Sequence, residues 1–218
     1  MPFGIIHPSI FCAAVLLLNL APGPDTAYIV GRSVSQGRRA GIFSALGVSL
    51  GCCVHTLFCA LGLTALLAAS ANAFTVVRFG GAIYLAWLGW RMIRRARPME
   101  TTTAHQAPPA VTQPLRGLVA FGFVTNVLNP KVILFFLSFF PQFVATNSTQ
   151  KPAAFFVLGL VFVGMSTVHN SSVAWLAGSI TQRLRRAPRA KVWLERSVGA
   201  AFIALGIRLV MGRWGPQA

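Results

Sequence analysis

Six stretches of this chain, residues 7–31, 40–68, 73–92, 116–140, 153–180 and 193–212, are apolar over about the 20 residues that a helix needs to cross a bilayer. Only three acids, Asp25, Glu100 and Glu195, occur in 218 residues, and 55% of the chain is apolar against 10% charged. A water-soluble domain of this length carries a far richer charged surface. Barrel strands are excluded as well. They alternate over about 10 residues, whereas Ala13-Ala14-Val15-Leu16-Leu17-Leu18 and Leu134-Phe135-Phe136-Leu137 do not alternate. The expectation is an all-α polytopic membrane bundle of six transmembrane helices.

The net charge of +16 suggests nucleic acid until the basic residues are sorted by loop. Fourteen fall between spans one and two, three and four, or five and six; four fall on the other side, and Lys131 lies within a span. Such asymmetry is the positive-inside pattern of a multi-pass membrane protein, with both termini expected on the non-cytoplasmic side. The basic residues hug helix ends without aromatic interleaving, so anionic lipid is the expected partner and nucleic acid is not. Met1 to Val30 lacks a basic start and reads as a retained first span. Cys12, Cys52, Cys53 and Cys59 sit in apolar sequence without a CxxC and read as small buried hydrophobes.

Two of the spans are interrupted. Asn19-Leu20-Ala21-Pro22-Gly23-Pro24-Asp25-Thr26 breaks the first and Asn126-Val127-Leu128-Asn129-Pro130-Lys131 the fourth. Proline removes a backbone donor and ends a helix, and the freed groups are tolerated at membrane depth only where protein or a water-filled cavity satisfies them. A charge within a span is costly, so one acid and one base placed at two such breaks point to a site for a solute carrying both signs. Asp25 would meet an ammonium or carry a proton, or else serve the start of a half-helix; Lys131 would meet a carboxylate, snorkel to the interface, or pair with Asp25. Of Asn19, Asn126 and Asn129, at least two are expected only to satisfy backbone groups.

The segment 96–115, with Pro98 and Pro108-Pro109, reads as a flexible cytoplasmic linker between two three-span halves, 1–95 and 116–218, of a single transporter domain. An odd number of spans per half makes the second half enter from the opposite face, which permits a 3+3 inverted repeat with matching breaks. Gly47 and Gly51, Gly80-Gly81, Gly159, Gly164, Gly199 and Gly206 are read as helix-packing positions. The same small-residue faces permit a homodimer. His55 is expected to join two helices by a hydrogen bond. His169 and Asn170, in the polar run Ser166 to Ser172 of span five, are secondary candidates as ligand or proton carrier. No two histidines have metal-ligand spacing.

Pro22-Gly23-Pro24-Asp25-Thr26, with Gly31-Arg32-Ser33 and Gln36-Gly37-Arg38-Arg39-Ala40-Gly41 after it, resembles the first-helix signature of the LysE/RhtB superfamily of bacterial amino-acid exporters. Ala45-Leu46-Gly47, His55-Thr56, Gly81 to Gly89, Asn126 to Lys131, Phe139-Phe140-Pro141-Gln142-Phe143 and Ser197 to Ala201 continue the resemblance over essentially the whole chain. It implies an inner-membrane exporter of amino acids or close derivatives with six spans and no cofactor. The polar fifth span departs from that family's apolar one. The reading is a secondary transporter driven by the proton motive force and working by alternating access, with proton exchange at Asp25 allowing the return step. Its site residues are Asp25, Lys131, Asn19, Pro22, Gly23, Pro24, Thr26, Asn126, Asn129 and Pro130. No Walker motif is present for ATP hydrolysis. The rivals are an intramembrane hydrolase using Ser166, Ser171 or Ser172 with His169, of which His169 and Ser172, one helical turn apart, are the well-placed pair, and a passive channel, for which the chain offers no ring of acids.

Overall fold

A computed structural model describes residues 2–63, 71–96, 113–145, 147–186 and 188–211. Within them the chain is helical: α1 (Pro8–Leu20), α2 (Pro24–Gln36), α3 (Arg38–Phe58), α4 (Ala71–Arg95), α5 (Leu115–Val127), α6 (Pro130–Phe139), α7 (Lys151–Arg186) and α8 (Pro188–Met211). A single bridge, Ile5 to Val144, is the one strand-like pairing among the described residues. Residues 97–112 of the expected linker lie outside them.

The region 38–62 and the first part of α7, Lys151–Ala177, are each long and apolar enough to cross a membrane. Joined across their breaks, α1 with α2 and α5 with α6 also qualify, bent by 53° and 48°. The candidate spans thus number two to four. The stretches expected as third and sixth spans are helical, as α4 and α8, but neither is among these candidate spans; they contain Arg78 and Arg208. One boundary differs from the sequence reading: the basic stretch expected as a loop between spans five and six is largely helical. α7 runs on to Arg186 and α8 begins at Pro188, because proline is well suited to a first helical position. Glu195, near the start of the expected sixth span, sits inside α8.

Small residues decide which helices approach closely. On α3, Ser44, Gly47, Val48, Gly51 and Cys52 are buried, while Ile42, Leu46, Leu50, Val54 and Leu57 are exposed. Large apolar side chains outside and small ones inside are what a lipid-facing helix shows when backbone approach drives packing. A Cβ on Gly47 would overlap the Val119 carbonyl of α5, and one on Gly122 would crowd the Ser44 carbonyl of α3. Gly89 and Gly199 play the same part between α4 and α8, with Gly206 against Ala82 further along, so these two helices run antiparallel. Gly80 and Gly164 are different: nothing lies within 4 Å of a Cβ placed on either.

α3 packs broadly on α5 and α7, α2 leans on α3 and α7, and α4 pairs with α8 and touches α6. Around α1, α6 and α7 the core is aromatic. Phe11, Phe135, Phe136, Phe139, Phe140, Phe143, Phe155 and Phe162 are all buried, and the Phe136 and Phe140 rings stack 4.1 Å apart. This plug adjoins the end that carries the amino-terminal segment, where Ile6 N–H donates to the Phe143 carbonyl and Ala145 N–H to that of Gly4, each at 2.9 Å. Toward the basic end of α4, Arg91 lies 5.1 Å from the Trp87 ring and Arg94 4.8 Å from that of Trp90, an aromatic and cationic belt of the kind that marks the headgroup level.

Candidate functional site

Proline builds both breaks. α1 stops at Leu20, with Ala21 extended; Gly23 is extended before Pro24, which opens α2. In the second break the Leu128 N–H reaches back to the Val124 carbonyl, and Asn129 caps α6 by accepting the Lys131 N–H at 3.1 Å. Asn129 has the N-cap residue type, worth about 1 kcal/mol over alanine.

The charges lie across these breaks. Asp25 occupies the first turn of α2, where orphan N–H groups and the helix dipole favour an anion. Its Oδ2 accepts from Asn126 Nδ2 at 2.8 Å and Asn129 Nδ2 at 3.0 Å, while Oδ1 is buried without a hydrogen-bond partner. Lys131 lies in the first turn of α6, an unfavourable place for a cation. Its side chain leaves that turn, and the ammonium donates to the Ala21 carbonyl at 2.6 Å. That carbonyl closes the C-terminal end of α1, where the dipole favours positive charge. Asparagines of the second break therefore hold the acid of the first, and the lysine of the second holds an orphan carbonyl of the first. In place of the direct Asp25–Lys131 pairing considered from sequence, Asn126 and Asn129 hold the carboxylate and the Ala21 carbonyl holds the ammonium.

Asp25 and Lys131 nevertheless border one hollow, together with Asn19, Thr26, Asn126 and Asn170. It measures about 20 Å³, room for about one water. Asn19 Nδ2 and Asn126 Oδ1 join Asp25 Oδ1 as buried polar atoms without a hydrogen-bond partner. One donor and two acceptors are thus left for a small polar occupant, and buried groups of this kind call for one. Only Asn129 among the three asparagines satisfies freed backbone with its side chain, and it also holds Asp25; the expectation that two would do nothing else does not hold. A larger cavity, about 550 Å³, lies on the other side of Lys131 and Asn129. Pro22, Pro24 and Pro130 line it, and Gly23 borders both spaces.

The secondary candidates separate. His55 packs on Phe136 and its Nε2–H donates to the Asn126 carbonyl at 3.1 Å, so it braces the second break from α3 without lining the hollow. His169 lies near the Asn19 backbone and Lys131. Asn170 lines the hollow with Ser166, whose hydroxyl donates to Asn19 Oδ1 at 3.1 Å. Thr167 instead donates to Ser49 of α3 at 2.8 Å, and Ser172 bonds back to the Val168 carbonyl. The polar run of α7 is thus partly lining and partly a seam between helices, and the hydroxyl once paired with His169 in the hydrolase reading is engaged by its own helix. Ser166, weighed from sequence only as a hydrolase nucleophile, lines these spaces with Cys52 and Glu195, which sequence reasoning missed as site residues. The four-residue spacing of Ser166 and Asn170 was the available signal for the first. Among the described residues no three His, Cys, Asp or Glu side chains gather as a metal site.

Comparison with known proteins bears on the whole chain. The family described as LysE type translocator matches residues 16–213. A leucine efflux protein of Klebsiella pneumoniae is 29% identical over 95% of this chain and 96% of its own length. An uncharacterized membrane protein of Pseudomonas aeruginosa is 32% identical over 94% and 95%. The threonine efflux protein of Escherichia coli strain K12 is 29% identical over 89% and 92%. No solved structure matches.

Proposed function

Because this chain belongs to the family of LysE-type translocators, and is a multi-pass membrane protein, we propose that it exports amino acids or closely related small amphoteric metabolites from the bacterial cytoplasm. The leucine and threonine efflux names of its relatives support the substrate class. The observation that carries the reading is the meeting of Asp25 and Lys131 at one hollow between two broken helices, edged by buried polar atoms without partners. Broken helices whose ends face a shared site are the usual construction of secondary transporters.

In this proposal the protein has six spans in two inverted halves, with both termini outside, and the basic loops inside as charge asymmetry directs. The aromatic plug then seals the outer side, and the 550 Å³ cavity faces inward. Substrate carboxylate displaces the Ala21 carbonyl from the Lys131 ammonium, and substrate ammonium takes up the Asp25 carboxylate. Asn19, Thr26, Asn126 and Asn129 line the bound solute. Pro22, Gly23, Pro24 and Pro130 keep the backbone open around it. Rocking of the halves carries the solute past the rings, and proton exchange at Asp25 returns the empty carrier. Exchange of one proton for a neutral zwitterion moves one charge, about 2.3 kcal/mol per 100 mV.

Efflux of preloaded labelled amino acids tests the proposal. Cells making the wild-type protein should lose label faster than cells without it, and Asp25→Asn and Lys131→Ala, at equal amounts in the membrane, should abolish the difference. Wild-type rates in both variants would remove these residues from the mechanism.

A further inference from the structure

The small hollow beside Asp25 holds about one water, too little for an amino acid. The cavity beyond Lys131, at about 550 Å³, falls in the range of about 300–1,000 Å³ of ordinary ligand pockets. Of these two spaces a solute therefore has room in the larger, which Asp25 does not line. Another carboxylate does. The antiparallel packing of α4 and α8, with Gly89 against Gly199, brings Glu195 level with the last turns of α4, and Glu195 lines the cavity with Arg91, Trp87 and Lys131. Among the described residues it is the one acid of that lining.

We infer that Glu195 is the entry subsite for the substrate's ammonium group, with the carboxylate directed toward Lys131, so that the solute is held in the 550 Å³ cavity before it reaches Asp25. The inference rests on the exporter reading above and adds a second anionic station to it. The charges explain why a station is needed. An ammonium entering a cavity whose other charged lining groups are Arg91 and Lys131 meets only repulsion unless a carboxylate is present. At reduced effective dielectric that repulsion is several-fold stronger than in water. The walls between the charges, Tyr84, Trp87, Leu88 and Leu134, are mainly apolar and leave orientation to the charged ends.

Uptake of labelled amino acid into inside-out vesicles, where the cytoplasmic face is outside, tests this. Glu195→Gln should raise KM about tenfold with Vmax unchanged, the size expected for one charge-assisted hydrogen bond made equally in bound and transition states. Glu195→Asp should restore most of the affinity. A purely structural role for Glu195 would lower the amount of protein or Vmax and leave KM alone, and an unchanged KM in Glu195→Gln vesicles overturns the inference. A second measurement spares Glu195. Met92→Cys, on the same cavity wall, should react with a membrane-impermeant thiol reagent from the cytoplasmic face, and substrate should slow the reaction. If substrate gives no protection, the cavity is not occupied and the inference fails. Loss of all uptake in the wild-type protein would instead strike the exporter reading itself.

Discussion

Replacing Asn129 by alanine should reveal how the two breaks hold each other. Two hydrogen bonds disappear: the cap on Lys131 N–H at 3.1 Å and the donation to Asp25 Oδ2 at 3.0 Å. The cap contributes about 1 kcal/mol, and a hydrogen bond to a charged group about 1.5–3 kcal/mol. Asn129→Ala should therefore cost about 3 kcal/mol in total. In an Asp25→Ala background the second bond no longer exists, so the same change should cost only about 1 kcal/mol. The cycle thus predicts a coupling of about 2 kcal/mol between two residues 104 positions apart. Reversible unfolding of the four purified proteins in mixed detergent micelles measures it. Additive losses, within about 0.5 kcal/mol, would show that Asn129 does no more than cap its own helix and would refute the cross-break lattice described here.

The remaining expectations concern packing, the seam and access. Gly47→Leu would drive a side chain into the Val119 carbonyl, and overpacking against backbone should cost at least about 3 kcal/mol, read as loss of the monodisperse peak in size-exclusion chromatography; a wild-type yield would contradict the close approach of α3 and α5. Thr167→Val removes the bond to Ser49 and should cost about 0.6 kcal/mol with efflux unchanged, whereas a transport defect would move Thr167 into the site. Cys52 lines the 20 Å³ hollow and is buried, so a bulky thiol reagent should leave it unmodified until substrate and a proton gradient drive the carrier through its cycle. Labelling at the same rate in resting and cycling vesicles would show the hollow to be open already.

Composition and period alone determined that this chain is a bundle of membrane helices, because nearly every segment is too apolar for water and too long and non-alternating for barrel strands. Both breaks were legible too, since proline at 22, 24 and 130 leaves the backbone no choice. Tertiary structure decided what the charges do. Whether Lys131 would face Asp25 depends on the angles at which four half-helices cross, and no local pattern encodes those angles; the ammonium instead reaches Ala21, and two asparagines fill the space beside the acid. Glu195 shows the same limit. Its sequence neighbours are basic, like those of a loop, and only the antiparallel seating of α8 on α4, glycine against glycine, turns it toward a cavity. Local chemistry dictates where a helix stops, whereas the partner of a side chain is chosen by backbones far apart in the chain that small residues allow to come together.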